Sequence, residues 1–406
     1  MANATVDHML SLIVFISAII VFIGLFSQTV QTGLSYQQHK ALGTKTSDLI
    51  DTMLLNPGSL NWQQNDTAPA CFGLHDQDFA QYALNPFSIT RLACPTSQLV
   101  NHSGKSYINS STGPGCSLLV SSASSVNYSA VSKMLGISNT YGFQLSLAPL
   151  LTVSTIKVST GAPLKLQVNV AGTGFPLSNA TLSYSLLLVS QDANQYPSYT
   201  MTSGKTTVDQ AGNKTLTFSG VNGESQSYAL VVYAYLNGLT GIGSYVNVPS
   251  SFAKSAVPMV DSFQTRTITI AHSDSLSQLS APSSQLNYNA TFFILGEDYT
   301  LRQIHLDSQN AQGKVVYGSV TEPDSCSLTL PANYGILVVT YKDTAGQYGL
   351  SLMPWGASSM AFPVIFGANP IGQEWVATDI RQVIIGGIAY QAKLDLWSIE
   401  GHQVYT

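Results

Sequence analysis

The chain has 406 residues, of which only 9% are charged while 20 are Tyr and 15 are Phe. That length provides for about two to four domains with real hydrophobic cores, and the composition excludes a disordered chain, which would be charge-rich and poor in aromatics. A net charge of −5 with 16 basic residues in no cluster excludes a phosphate-binding stripe, so no nucleic-acid partner is expected.

The first element is apolar. From Met9 to Phe26 the chain carries no charge, a length at the lower limit for crossing a bilayer. Val30 and its small polar neighbours extend the run, so residues 9–30 are expected to meet lipid. The residues before it include Asp7 and His8 but no Lys or Arg, and the following SQTVQTGLSYQQ holds no small-x-small cleavage site. Both features favour a retained anchor over a signal peptide. Lys40 and Lys45 follow the run, and a literal count of basic residues would place the bulk of the chain in the cytoplasm. Two lysines are a thin bias, and long domains translocate largely regardless of charge. Seven N-x-S/T sites lie beyond the run, at Asn65, Asn101, Asn109, Asn127, Asn179, Asn213 and Asn289. They are glycosylation candidates. With the low charge and the cysteines, they place the expected location outside a single-pass anchor.

Beyond the apolar run, Val30, Leu34, Leu42, Leu49, Ile50, Met53 and Leu54 recur at helical spacing, with polar residues between them. The Asn56–Pro57–Gly58 triplet ends the pattern. Residues 1–58 are therefore expected to hold one long helix, lipid-embedded first and packed on a head afterwards. Gly24, Gly33 and Gly43 are expected to weaken or bend it.

Residues 59–140 read as irregular, with a short helix around Met134. The four cysteines are Cys71, Cys94, Cys116 and Cys326. None forms a CxxC pair, and in an exported chain disulfides are expected in preference to buried free thiols, with a pairing that sequence alone does not fix. Cys71–Cys94 is the first choice, with Cys116–Cys326 by remainder.

From Tyr141 the period becomes two. Successive strand candidates such as PLKLQVNVAG and SYALVVYAYLNG fill residues 141–252, and a second set fills residues 253–406. The expected fold is mainly β with one long N-terminal α-helix and two β-sandwich-like (Ig-like) domains.

The stretch from Gly174 to Ala234 resembles the Ig-like domains of surface proteins and macroglobulins. Pro176, Ala180, Thr181, Gly204, Asp209, Gly212 and Phe218 match their pattern. The resemblance implies a fold and a structural or interaction role, with no activity. Asp209 is expected to accept backbone N–H groups in a tight turn, and Gly212 to adopt φ > 0 and close a hairpin. DTAG at residues 343–346 repeats the device. The plan of residues 5–58 followed by β-rich heads also resembles archaeal membrane-anchored, pilin-like surface proteins. It departs from type IV pilins in lacking a basic residue before the apolar run and in placing Asp7 at its edge.

Chemical motifs are few. SGKTT at Ser203–Thr207 lacks the leading Gly of a P-loop, since Tyr199 stands there, and its flanks read as strand–turn–strand. GASSM at Gly356–Met360 lacks the final Gly of a nucleophile elbow. Asp76 and Asp78 in HDQD could ligate Ca²⁺, although a charge pair at a helix N-terminus is the commoner use of such residues. Trp62, Trp355, Trp375 and Trp397 could build a sugar-stacking face, although core and cross-strand packing is commoner. No catalytic, metal or cofactor residue is assigned and no enzyme is expected. The expected role is a membrane-anchored extracellular structural or interaction protein, in contact with like chains or with cell-surface partners. The alternative is a module that binds glycan or another extracellular ligand.

Overall fold

The computed structural model describes residues 2–67, 69–79, 82–92, 98–102, 104–109, 116, 118–159, 161–193, 196–249, 255–273, 286–296, 298–304, 306, 318–320, 326–342, 346–356, 361 and 363–399. The chain is mainly β, with 49% of it in strands, and has one long N-terminal helix.

That helix, α1, runs unbroken from Ala2 to Leu55. Gly24, Gly33 and Gly43 do not interrupt it. Beyond the helix's own backbone, a Cβ on any of the three would meet nothing within 4 Å among the described residues. The stripe expected along its second half is buried only at its end: Leu42 is half-buried, while Leu49, Ile50, Met53 and Leu54 are fully enclosed. Val30 and Leu34 remain exposed. The helix stops as the triplet predicts. Asn56 Oδ1 accepts the Gly58 N–H at 2.8 Å, and Gly58 takes φ +76°. The carbonyls of Met53 and Asn56 accept N–H bonds from Leu74 and His75, which satisfies groups that a helix end leaves unpaired. The backbone approaches so closely that Gly73 has no room for a Cβ against the Asn56 carbonyl.

The two Ig-like sandwiches do not describe the β body. Among the described residues the strands form five small sheets, in a propeller-like ring rather than two separate sandwiches. The ring has no repeated blade, because the sheets hold four, five or six strands in differing orders. The physical reason is sheet membership. Gln98–His102, Lys105–Asn109 and Leu119–Ser121 join a sheet with Ser255–Ser262, Thr267–Ser273 and Cys326–Thr329. Tyr141–Pro149 pairs with Ile388–Ser398 and Val364–Gly367. Strand periodicity identifies faces but not partners, so these long-range pairings were not legible.

The sheet that receives α1 is ordered Ala83–Leu84, Ala377–Ile385, Ile388–Ser398, Tyr141–Pro149, Val364–Gly367. Its inward side chains, among them Leu145, Val383, Tyr390 and Leu394, form one core cluster with Leu49, Ile50, Met53 and Leu54 of α1. The same cluster takes in Leu187 and Val231 from one neighbouring sheet and Val338 and Leu352 from another. The end of α1 therefore packs on one sheet and joins a core that runs on into two more.

Among the described residues two short α-helices follow α1. Pro86–Thr90 (α2) is capped by Asn85, whose side chain accepts from Phe87 N and Ser88 N. Tyr128–Met134 (α3) lies where a short helix was expected and is capped by Asn127.

Candidate membrane helix and its seat on the β body

Among the described residues, nothing packs on α1 from His8 to Gln38. Every described residue from His8 to Gln38 is exposed, including Phe22 at 70% and Ile20 at 63%. The helix is long and apolar enough to cross a membrane by length and composition. No Lys, Arg, Asp or Glu occurs from His8 to His39.

The seat begins at His39, whose ring lies against Trp375 with centroids 3.8 Å apart. Higher up, Arg381 reaches across from the neighbouring strand. Its Nε donates to Asp51 Oδ1 at 3.0 Å, its Nη2 to Ser47 Oγ at 3.0 Å, and its Nη1 to Asp379. The hydrogen bond to Asp51 raises the Arg381 pKa above the usual guanidinium range. Partial burial opposes the charge on Asp379. The hydrogen bonds with Arg381 and Ser47 prevail, and its carboxyl lies below the usual range. Thr46 is fully buried and turns its hydroxyl back to the Leu42 carbonyl at 2.8 Å. The contacts of Arg381 and Trp375 fix the rotation of α1 on the sheet, and the four apolar residues supply the burial.

A second polar node braces the segment after the helix. Arg91 has no exposed surface. It donates to the carbonyls of Ser124 (2.6 Å), Thr67 (2.9 Å) and Trp62, and its guanidinium lies 5.2 Å from the Trp62 ring centroid. Burial lowers its pKa to about 10, with Asp66 acting in the opposite sense. Asp66 in turn accepts from Ser124 Oγ, Ser262 Oγ and Phe263 N at 2.6–3.0 Å. The node ties residues 62–67, α2 and the 121–126 turn to the strand Ser255–Ser262. In a chain with 16 basic residues, an Arg set between Ile89 and Leu92 was the available signal for a buried charge.

The cysteines do not form the bridge expected first. Cys71 carries a free, exposed thiol. Its Sγ meets Asn56 Nδ2 at 3.9 Å and its carbonyl accepts the Ser59 N–H, so this segment is committed to closing the end of α1. Cys94 and the side chain of Cys326 lie outside the described residues. Cys116 is buried and bridges to Leu352.

Of the seven sequon asparagines, Asn101, Asn127 and Asn179 are exposed and Asn65, Asn109, Asn213 and Asn289 are half-buried. The Asn109 Oδ1 is enclosed and has no hydrogen-bond partner among the described residues.

The remaining motifs are structural. Asp209 Oδ1 accepts Ala211 N at 2.9 Å and Asn213 N at 2.8 Å, and Gly212 takes φ +73°. The turn does not close a hairpin as expected. It carries the chain from Pro197–Thr207 in one sheet to Asn213–Phe218 in another. SGKTT lies inside the continuous strand Pro197–Thr207, with no turn, and Gly204 gives room to the Tyr184 ring. HDQD opens no helix. Asp76 Oδ1 accepts Asp78 N in a turn and its Oδ2 accepts Asn85 Nδ2, both at 3.3 Å. Among the described residues no three His, Cys, Asp or Glu side chains converge. Residues 343–345 of DTAG and 357–360 of GASSM lie outside the described residues, and Gly346 has φ +78°.

Three of the four tryptophans are core: Trp62, Trp355 and Trp397 are at most 5% exposed. A cavity of about 130 Å³ is floored by Phe87, Phe263 and Trp355 and rimmed by Gln63, Gln264 and Arg266. Its aromatic rings are at most 8% exposed, so no open face is left for a sugar to stack on. Trp375, at 56%, is the exposed one.

No family model and no curated protein matches the chain. Among solved structures, a trypsin-activated alpha-2-macroglobulin from Escherichia coli aligns at 12% identity and TM-score 0.21, over 58% of this chain and 18% of that one. The D0–D1 domain of intimin aligns at 15% and 0.21, over 55% of this chain and all of that one. The BSP domain of a biofilm associated protein aligns at 14% and 0.16, over 52% of this chain and 30% of that one. The chain thus spans under a fifth of the macroglobulin, and likenesses at these TM-scores carry no functional argument.

Proposed function

We propose that the chain is a single-pass membrane protein whose β body stands outside the cell as a structural or interaction surface rather than as a catalyst. One observation carries the reading: α1 is a single helix, exposed and uncharged from His8 to Gln38 and apolar from Met9 to Phe26, whose last turns are built into the core of the body. An exposed apolar surface of that size is costly in water and suits a bilayer, where a helix satisfies its own backbone. Leu49, Ile50, Met53 and Leu54 join this helix to the body's core, and the absence of an Ala-x-Ala site in the SQTVQTGLSYQQ that follows Phe26 supports its retention. Lipid is the first partner, through residues 9–30, and contact with like chains or cell-surface proteins is the second. The exposed sequons at Asn101, Asn127 and Asn179 are the ones proposed to carry glycans.

Alkaline carbonate extraction of membranes from expressing cells, with intact mass of the retained protein, tests this. The reading expects the chain in the membrane pellet with residues 9–30 present. Recovery in the supernatant, or as a chain that starts beyond residue 30, refutes it.

A further inference from the structure

The body presents one apolar cluster that its core does not use. Ile371 is 83% exposed, Trp375 56%, Ile399 51% and Val376 38%. All four lie at one end of the sheet that receives α1. Ala377 pairs with Leu396, Leu396 with Phe143, and the Phe143 carbonyl accepts Ala368 N. The loop 368–376 and the strand end at Ile399 therefore share that edge.

The contacts with α1 show which way this end faces. Trp375 meets His39, while Asp379 and Arg381 meet Ser47 and Asp51. The strand Ala377–Ile385 thus ascends alongside α1, and the loop before it is turned toward the lipid-suited half. Residues 9–30 make about 33 Å of helix, enough for a hydrocarbon core of about 30 Å, and the uncharged residues 31–39 add about 13 Å. That stretch carries the helix through the headgroup layer to Lys40, the first charge after the apolar run, and Trp375 lies beside the residue preceding it.

The loop is shaped to display its tip. Asn369 Oδ1 accepts Ile371 N at 3.0 Å, and the Pro370 carbonyl accepts Gln373 N at 3.1 Å. Gly372 takes φ +86°, the third-position geometry of a type II turn. Ile371 stands at the apex. Between residues 363 and 380 the charged side chains are Glu374 and Asp379, and the base at this level is Lys40 of α1, so the loop itself offers no attraction to anionic lipid. An exposed Trp and Ile at headgroup depth are what an interfacial contact uses.

We propose that the 368–376 loop is a second membrane contact, with Ile371 and Trp375 docked in the headgroup layer of the leaflet from which α1 emerges. It rests on the reading of α1 as a membrane span. It adds that the body is seated on the bilayer at two points, which fixes its tilt.

The test uses the full chain in phosphatidylcholine vesicles. Trp375 is the exposed tryptophan of the four, so the difference between wild type and Trp375→Phe isolates its fluorescence. Quenching by lipids brominated near the headgroup should exceed quenching by aqueous iodide. It should be unchanged by anionic lipid and weakened by Ile371→Ser. Protein that floats with the vesicles while Trp375 is quenched by iodide and not by bromolipid overturns the proposal. So does shielding from both quenchers with cross-linking between copies, which would show a second chain on the patch. Failure to float overturns the reading of α1 and this contact with it.

Discussion

At the residue scale, the buried polar groups carry more of the architecture than their number suggests. Arg91 serves three carbonyls and none of its surface reaches solvent. Arg91→Ala leaves those groups without a donor and should cost about 3–5 kcal/mol, measured by urea denaturation. Glycines give a matched pair. Gly212 and Gly238 both have positive φ, but a Cβ at Gly212 would lie 2.6 Å from the Val170 carbonyl and one at Gly238 would meet nothing. Gly238→Ala should cost about 1–2 kcal/mol for the left-handed backbone alone, and Gly212→Ala clearly more, read as a larger fall in the denaturation midpoint. The Asp209–Gly212 turn was legible because its chemistry is local. Arg91, Arg381 and the His39–Trp375 pair were not, since each meets partners distant in sequence.

At the element scale, α1 changes role along its length without changing conformation. Ile50→Ala, in the shared core, should destabilise the body by about 2–5 kcal/mol. Ile20→Ala, on the exposed stretch, should leave the unfolding of the detergent-solubilised body unchanged. Gly43→Ala meets no neighbour and should stabilise by up to about 1 kcal/mol through helix propensity. The clamp on the helix responds to acid. Asp379 is held below its usual pKa. Its contribution is therefore present above about pH 4 and is lost as pH falls toward its folded value. Thermal unfolding from pH 6 to pH 3 should show wild type losing its advantage over Asp379→Asn. A constant gap would contradict the assignment.

At the scale of the whole molecule, the sequence announced a long helix and many strands, and the structure decided how they associate. The helix was readable because its period and its Asn–Pro–Gly stop are continuous in sequence. The five-sheet arrangement was hidden because strands such as Tyr141–Pro149 pair with partners beyond residue 360. A period-two pattern reports which side chains point inward, not which strand lies alongside. The consequence is one body built onto the end of a membrane-suited helix. Protease treatment of intact cells, with mass spectrometry of the released and retained peptides, tests this most directly. The account predicts that residues 60–399 yield peptides at the cell surface while residues 9–30 stay in the membrane fraction. Protection of the whole chain, or release of a body that has lost α1, would contradict it.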